Sequence, residues 1–226
     1  MCGLTGFCDF NNKLNKEHLD KANAVLRHRG PDSGNAEIFE AKNATIGFGH
    51  RRLSILDVSE NGNQPMYSDD KSVVIVLNGE IYNFKEVRKE LIGRGYSFHS
   101  DSDTEVVIKA YQEYGISAVD KFIGMFAFAI YDIKKQVIYL LRDRHGVKPL
   151  YYYHHQDTLL FASELKSIYT YPVFKKDVNK TAVSLFFTYG YIRAPHTIFN
   201  NTYKVQPGHY IKIDIEKKKV ENIKYW

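Results

Sequence analysis

The chain opens with Met1-Cys2-Gly3-Leu4-Thr5-Gly6, which places a thiol one peptide bond from the initiator methionine. Removal of Met1 would give Cys2 a free α-amine beside its nucleophilic thiol. The ordinary pKa is about 7.7 to 8.0 for the amine and about 8.5 for the thiol, so the amine can accept the thiol proton near neutral pH. We expect a water to carry that proton, because direct transfer needs a poor hydrogen-bond angle. One residue thus offers nucleophile and base.

A cysteine near a chain end is more often an ordinary small residue, so the residues after Cys2 matter. Residues 3–10 predict a strand that contains Gly3 and Gly6. Glycine inside a strand often marks a place where a ligand or another backbone comes close. A strand that starts beside the thiol would also hold it rigidly.

Length and composition predict one globular domain, since 226 residues can bury a sizeable core. The sequence has no apolar run of about 18 residues and no charged-then-apolar leader, so we expect no membrane partner and a cytoplasmic location. The net charge of +5 is scattered, which favours a solvated surface over nucleic-acid binding. Cys2 and Cys8 lie on one predicted strand, where neither a disulfide nor a metal site is expected, and Cys8 is predicted to be buried.

Periodicity and turn signals predict helices mixed with hairpin-forming strands. Helices are predicted over residues 15–27, 83–93, 101–115 and 182–189, with a capping box of Asn83 and Glu86 at the second. Strands are predicted over 3–10, 36–40, 44–49, 73–77, 125–132, 137–142, 150–154, 158–162, 209–213 and 220–226. Short connections favour antiparallel pairing, so we expect an α+β fold with stacked sheets and helices outside.

A strand-end Asn-Gly pair is the candidate for stabilising an oxyanion. Asn78 offers a side-chain N–H and Gly79 a backbone N–H, at the end of the strongly β-branched run 73–77. The competing interpretation is a common Asn-Gly turn that ends the strand, and periodicity alone favours it.

Charged residues at element ends are the candidates for holding a substrate. Arg52 could bind a carboxylate through two of its guanidinium N–H groups, although a surface salt bridge is the commoner use of a single arginine. Asp103 could accept an ammonium group or simply cap the third helix, and Glu80 has the same two interpretations.

Seven motifs, taken together, resemble one known family. In chain order they are Met1-Cys2-Gly3, His28-Arg29-Gly30-Pro31-Asp32, Arg52-Leu53-Ser54-Ile55, Asn78-Gly79-Glu80-Ile81-Tyr82-Asn83, Ser102-Asp103-Thr104-Glu105, Gly124-Met125-Phe126-Ala127-Phe128-Ala129, and Arg142-Asp143 with Gly146, Pro149 and Leu150. The set is similar to the glutaminase domain of glutamine-hydrolysing asparagine synthetases, a class II glutamine amidotransferase with the N-terminal-nucleophile hydrolase fold. The similarity covers nearly all of residues 1–226.

The resemblance implies a chemistry for this glutaminase domain. Cys2 would attack the side-chain amide of L-glutamine and form a γ-glutamyl thioester, releasing ammonia, and water would then release glutamate. Asn78 and Gly79 would form the oxyanion hole. The remaining substrate-binding residues would be Arg52 at the α-carboxylate, Asp103 and Glu80 at the α-ammonium, and Leu53 and Ile55 as neighbours.

The resemblance also implies a fold and partners. The fold would be a four-layer αββα sandwich of two stacked antiparallel sheets flanked by helices. A C-terminal synthetase domain, absent from this chain, would use ATP and Mg to activate aspartate or a related acceptor, whereas the glutaminase domain would need no cofactor. A homodimer is compatible with the resemblance.

Two departures leave alternatives open. The loop after His28-Arg29-Gly30-Pro31-Asp32 reaches Gly34 one residue earlier than is common in relatives. Arg51 stands beside Arg52, so the choice of Arg52 as the clamp rests on its position before Leu-Ser-Ile. Two other functions compete with the glutaminase: an N-terminal-nucleophile hydrolase of another amide, and a non-catalytic scaffold that keeps the fold.

Overall fold

Two six-stranded antiparallel sheets organise the computed structural model, which describes residues 1–54 and 60–226. Its strands are β1 Gly3–Asp9, β2 Ser33–Ala41, β3 Ala44–Arg52, β4 Met66–Tyr67, β5 Val73–Ile81, β6 Gly124–Asp132, β7 Val137–Arg142, β8 Tyr151–His155, β9 Thr158–Ala162, β10 Thr202–Lys204, β11 His209–Asp214 and β12 Lys219–Lys224. Its α-helices are α1 Lys16–Ala24, α2 Phe84–Gly93, α3 Asp103–Tyr114, α4 Leu165–Ile168 and α5 Lys180–Tyr189.

The first strand lies in the interior of its sheet. One sheet has the order β10-β8-β9-β1-β3-β2, and the other has the order β12-β11-β7-β6-β5-β4. β1 pairs with β3 in a register that places Gly3 opposite Arg51, and with β9 in a register that places Thr5 opposite Ala162. The strand that follows Cys2 is therefore paired on one side from Gly3 and on both sides from Thr5.

The two sheets stack through a buried apolar core. This core contains Leu4, Cys8, Ile46 and Phe48 of the first sheet, and Val74, Val76, Ala127, Ala129, Ile138, Leu140, Ile211 and Ile213 of the second. Alternate residues of each strand face the opposite sheet, as expected for packed antiparallel sheets. The prediction that Cys8 is a buried apolar residue is confirmed, because none of its surface is exposed.

Helices cover the outer faces of both sheets. The outer face of the β5-containing sheet packs against α2 and α3 through side chains such as Leu77, Phe126, Leu91 and Val106. The outer face of the β1-containing sheet packs against α1 and α4 through side chains such as Phe7, Leu160, Leu19 and Ile168. The order of layers is helix, sheet, sheet, helix, so the predicted four-layer αββα sandwich is confirmed.

One cross-sheet hydrogen bond joins the polar ends of two strands. His50 Nε2, on β3, donates to the Leu77 carbonyl oxygen of β5 at 2.9 Å. Burial lowers the pKa of His50 to about 4, so the imidazole is neutral near pH 7. The bond links β3 to β5 just before Arg52 on one strand and Asn78 on the other.

Local predictions about helix ends were partly wrong. The first helix ends at Ala24 and a turn follows, and its N-terminus has a capping box formed by Asn15 and His18. Asn83 does not cap α2, because its side chain instead accepts from Ile123 N–H and donates to the Lys121 carbonyl oxygen. Long-range pairing with the segment before β6 has replaced the predicted capping box.

The glycine at position 6 permits close packing that an alanine would block. We expect Gly6→Ala to lower the free energy of unfolding by about 1 to 3 kcal/mol. Its added Cβ would lie 2.3 Å from both the Gly47 carbonyl oxygen and Phe161 Cζ. Gly93→Ala is the matched control, because an added Cβ there meets nothing within 4 Å and alanine favours a helix. Urea unfolding of the two variants measures the difference, and equal free energies would contradict the prediction.

Candidate active site

A cavity of about 250 Å³ lies where β1 begins and where β3 and β5 approach their ends. Both sheets and the start of α3 contribute to its walls. The predicted site residues that line it are Cys2, Arg52, Leu53, Asn78, Gly79, Glu80 and Asp103. Ile55, the remaining predicted residue, lies outside the described residues.

The thiol of Cys2 is held by the end of β3. The Leu53 N–H donates to Cys2 Sγ at 3.4 Å, and the Leu53 carbonyl oxygen lies 3.6 Å from the same sulfur. On the other side, Arg29 Nε donates to the Cys2 carbonyl oxygen at 2.9 Å, and Arg29 Nη1 donates to Glu164 Oε1 at 2.9 Å. Backbone and side chain of Cys2 are therefore both fixed.

The environment of Cys2 favours the protonated thiol. Burial raises the pKa of the Cys2 thiol, while the Leu53 N–H, the N-terminal ammonium and Arg52 oppose that shift. Since only the thiolate is an effective nucleophile, reaction near neutral pH needs a base. Met1 lines the cavity mouth and is itself exposed, so its removal would place a free amine beside the thiol.

Asn78 continues β5 and does not end it. β5 extends to Ile81, and Asn78 lies opposite Ala127 of β6, so the alternative of a strand-ending turn at this position was wrong. Only 1% of Asn78 is exposed, and among the described residues neither its side-chain oxygen nor its side-chain nitrogen has a hydrogen-bond partner. An unpaired buried amide costs about 1 to 3 kcal/mol, so it is retained here at the expense of stability.

Gly79 brings its backbone close to β6 while its N–H points away from that strand. A Cβ at this position would lie 2.3 Å from the Met125 carbonyl oxygen, so a side chain does not fit. Phe126, its register partner, directs both backbone groups toward Asp143. In an antiparallel ladder the Gly79 N–H then points to the opposite side, where the Leu77 N–H donates to Gln64 Oε1.

Arg52 is the arginine that reaches the cavity. Its guanidinium Nη1 donates to Asn63 Oδ1 at 3.1 Å, and only 7% of the residue is exposed. Arg51 points elsewhere, because its Nε donates to the Asn23 carbonyl oxygen at 3.1 Å. The alternation of a strand thus separates the two neighbouring arginines.

Asp103 places a carboxylate at the start of α3. Its Oδ2 accepts from the Ile81 N–H at 2.9 Å. Burial raises the pKa of Asp103 to about 6, the Ile81 N–H opposes that shift, and nearby Glu80 adds to it. The N-cap of α3 is Ser102, whose hydroxyl accepts from the Thr104 N–H at 3.1 Å, so capping does not explain the position of Asp103.

The cavity also contains polar residues that the sequence analysis did not predict, notably Gln64 and Lys148. Gln64 joins two walls, because its Oε1 accepts from the Leu77 N–H and its Nε2 donates to Thr104 Oγ1. Gln64 lies in a loop with no periodic pattern. Lys148 lies between Gly146 and Pro149 of a recognised motif, and that position was the one available signal.

Within residues 1–54 and 60–226, no three His, Cys, Asp or Glu side chains are grouped so that they could hold a metal ion. Across the same residues, no helix has the length and apolar character needed to cross a bilayer.

Comparison with known proteins adds an independent observation. The family described as "Glutamine amidotransferase domain" matches residues 1–226. Putative asparagine synthetase [glutamine-hydrolyzing] 2 of Methanocaldococcus jannaschii is 40% identical over 100% of this chain and 46% of its own length. Asparagine synthetase [glutamine-hydrolyzing] 3 of Bacillus subtilis is 38% identical over 100% of this chain and 36% of its own length. The chain thus spans less than half the length of these relatives.

Solved structures agree with the architecture. Glutamine phosphoribosylpyrophosphate amidotransferase of Bacillus subtilis, in a structure complexed with ADP and GMP, has a TM-score of 0.69 over 100% of this chain and 49% of that one. At 18% sequence identity this likeness supports the fold alone. The family match over residues 1–226 shows that the chain belongs to the glutamine amidotransferase domain family.

Proposed function

We propose that this domain, residues 1–226, hydrolyses L-glutamine to glutamate and ammonia through a thioester on Cys2. The observation that carries the proposal is that the cavity of Cys2 also contains Asn78, whose buried amide has no partner among the described residues. A thiol beside unused hydrogen-bond donors is the arrangement that acyl transfer requires.

The first half of the reaction forms the thioester. After loss of Met1, the Cys2 α-amine takes the thiol proton through a water, and the thiolate bonds to the side-chain amide carbon of glutamine. The carbonyl electrons move to oxygen, which becomes an oxyanion. When the carbonyl re-forms, the C–N bond breaks and the nitrogen leaves as ammonia, having taken the proton from the amine.

The second half releases glutamate. A water gives a proton to the α-amine and adds to the thioester carbon. The C–S bond then breaks, the sulfur takes the proton held by the α-amine, and the γ-carboxyl group of glutamate releases its remaining proton to water. The side-chain N–H of Asn78 and the backbone N–H of Gly79 would stabilise the oxyanion in both halves. The closeness of Gly79 to β6 fixes its N–H in advance.

The two charged groups on the substrate's α-carbon would each bind to a side chain of opposite charge. The Arg52 guanidinium fits the α-carboxylate, while Asp103, with Glu80 nearby, fits the α-ammonium. Leu53 would hold the thiol in line, and Ile55 is proposed as a neighbour on sequence similarity alone. Because both charged groups must be uncapped, the proposed substrate is a free amino acid.

The ammonia would be used by a synthetase domain that follows this one in a longer protein. The synthetase names and greater lengths of the relatives support that arrangement. That domain would need ATP and Mg²⁺ to activate aspartate or a related acceptor. The steps proposed for this chain use a thiol, an amine, water and hydrogen-bond donors, so we expect no cofactor here.

The first prediction is that the purified chain releases glutamate from L-glutamine and that Cys2→Ala abolishes this release. The N-terminal residue must be determined by mass spectrometry on the same sample, because retained Met1 blocks the proposed base. N-acetyl-L-glutamine is the matched substrate control and should react far more slowly. Equal turnover of the two substrates, or no turnover with Cys2 exposed as the first residue, would contradict the proposal.

A second prediction separates binding from chemistry. We expect Arg52→Ala to raise KM for glutamine by about 10- to 100-fold with little change in kcat, because a charge-assisted contact to the α-carboxylate is lost. Asn78→Ala should lower kcat by about 10²- to 10³-fold with little change in KM, because the donor acts on the oxyanion. Steady-state kinetics of both variants measure this split, and the same effect on the same parameter would refute the assigned roles.

A third prediction concerns pH. Asp103 must be ionised to bind the α-ammonium, and burial raises its pKa to about 6, so it loses its charge as pH falls below that value. The fall of kcat/KM toward acid pH begins at higher pH, where the α-amine becomes protonated. Below about pH 6 this fall should become steeper, because Asp103 is protonated as well. Asp103→Asn should lower kcat/KM throughout and remove the steepening. A profile measured from about pH 5 to about pH 8 with unchanged shape in the variant would argue against this role.

A further inference from the structure

Lys148 is a buried cation on the cavity wall that the proposed mechanism does not use. It is 7% exposed and lines the same cavity as Cys2 and Asn78. Among residues 1–54 and 60–226, its Nζ has no hydrogen bond and no carboxylate within ion-pair distance. Lys148 Nζ is not among the fully buried polar atoms that lack a partner, so the side-chain stem is buried while the ammonium stays accessible from the cavity.

The position of Lys148 is fixed by its backbone. Its N–H donates to Asp143 Oδ2 at 3.0 Å, and its carbonyl oxygen accepts from Arg142 Nε at 2.8 Å. The same Asp143 Oδ2 accepts from the Phe126 N–H at 3.2 Å, and Phe126 lies opposite Gly79. Lys148 is thus anchored beside β6, the strand that lies between it and Gly79.

The two cations of the cavity enter from different sheets. Arg52 comes from the end of β3 in the sheet that holds Cys2, and its guanidinium is bonded to Asn63. Lys148 follows β7, next to the β5–β6 pair that presents Asn78 and Gly79. The carboxylates on the cavity wall, Asp103 and Glu80, form no ion pair with Lys148 among the described residues. The anion that suits Lys148 therefore comes from a bound ligand.

We propose that Lys148, with Asn78 and Gly79, forms an anion subsite at the reacting end of the cavity. It binds the γ-carboxylate of the glutamate product and the oxyanion that precedes it. The inference rests on the proposed function and extends it. Because the amide of glutamine is neutral and the γ-carboxylate is charged, Lys148 favours the product over the substrate. Glutamate is then a stronger inhibitor than it would be if only its α-carboxylate and α-ammonium were bound.

One test needs no turnover. The rate of Cys2 alkylation by iodoacetate, an anion, is divided by the rate with iodoacetamide, its neutral amide. This ratio cancels any change in the thiolate fraction of Cys2. Cys8 does not interfere, because it is fully buried and burial raises its pKa to about 12. Intact-mass spectrometry follows both reactions, with Cys2→Ala as the blank.

We expect Lys148→Met to lower the iodoacetate-to-iodoacetamide ratio by about 10-fold, the effect of losing a charged contact. Lys148→Arg keeps the charge and should keep most of the ratio, which separates charge from packing. Lys89→Met, an exposed lysine on α2, is the matched control and should leave the ratio unchanged. An unchanged ratio in a folded Lys148→Met protein, or an equal fall in Lys89→Met, overturns the proposal.

A second test uses the active chain. Lys148→Met should raise the inhibition constant of glutamate by about 10-fold while KM for glutamine changes by less than about 2-fold, with a lower kcat. Parallel rises in both constants would show a merely structural role and overturn the proposal. A wild-type chain that lacks glutaminase activity but shows the Lys148-dependent alkylation ratio would reject the proposed function and retain the anion subsite.

Discussion

The hydrogen bond from His50 to the Leu77 carbonyl oxygen is the contact on which the site depends. It joins β3 to β5 just before the residues for which functional roles are proposed, Arg52 on one strand and Asn78 on the other. Because burial keeps the imidazole neutral near pH 7, the link survives across the range in which the α-amine of Cys2 could act as a base. Elsewhere the described residues of the two sheets pack mainly through apolar side chains, and Tyr67 of β4 donates to Glu37 of β2 at the opposite edge strands.

The cavity concentrates polar groups that are poorly satisfied by the protein itself. The amide of Asn78 and the ammonium of Lys148 have no partners among the described residues, and the raised pKa of Asp103 shows that its carboxylate is incompletely stabilised. Such groups would weaken a core, yet here they surround one opening. The proposed substrate, L-glutamine, would bring an ammonium for Asp103 and a side-chain amide for Asn78, and its hydrolysis would create the γ-carboxylate proposed for Lys148. The stability lost by the folded chain is recovered when the ligand binds.

Much of this was predictable from the sequence, for reasons that particular residues make clear. The β-branched run 73–77 and the hairpin pattern of β6 and β7 predict buried strands, and Cys2 beside Met1 indicates a candidate nucleophile. Asn78-Gly79 resembles a turn, and only its pairing with β6 keeps it in a strand, so local chemistry alone misplaced it. Gln64 and Lys148 come from loops, where no period marks a residue as buried. Gln64 is positioned by Thr104, 40 residues along the chain. Lys148 is positioned by the nearby Asp143, whose carboxylate also accepts from the Phe126 N–H of β6.

The interior position of β1 also determines the order in which the protein can be built. Cys2 comes directly before β1, and β1 becomes a fully paired strand only when β9, which ends at Ala162, has been made. Contacts at such sequence separation form late in folding, because a long loop must first be closed. The folded surroundings of the Cys2 thiol, including the strand that positions it, are therefore complete only after the chain has been synthesised as far as Ala162.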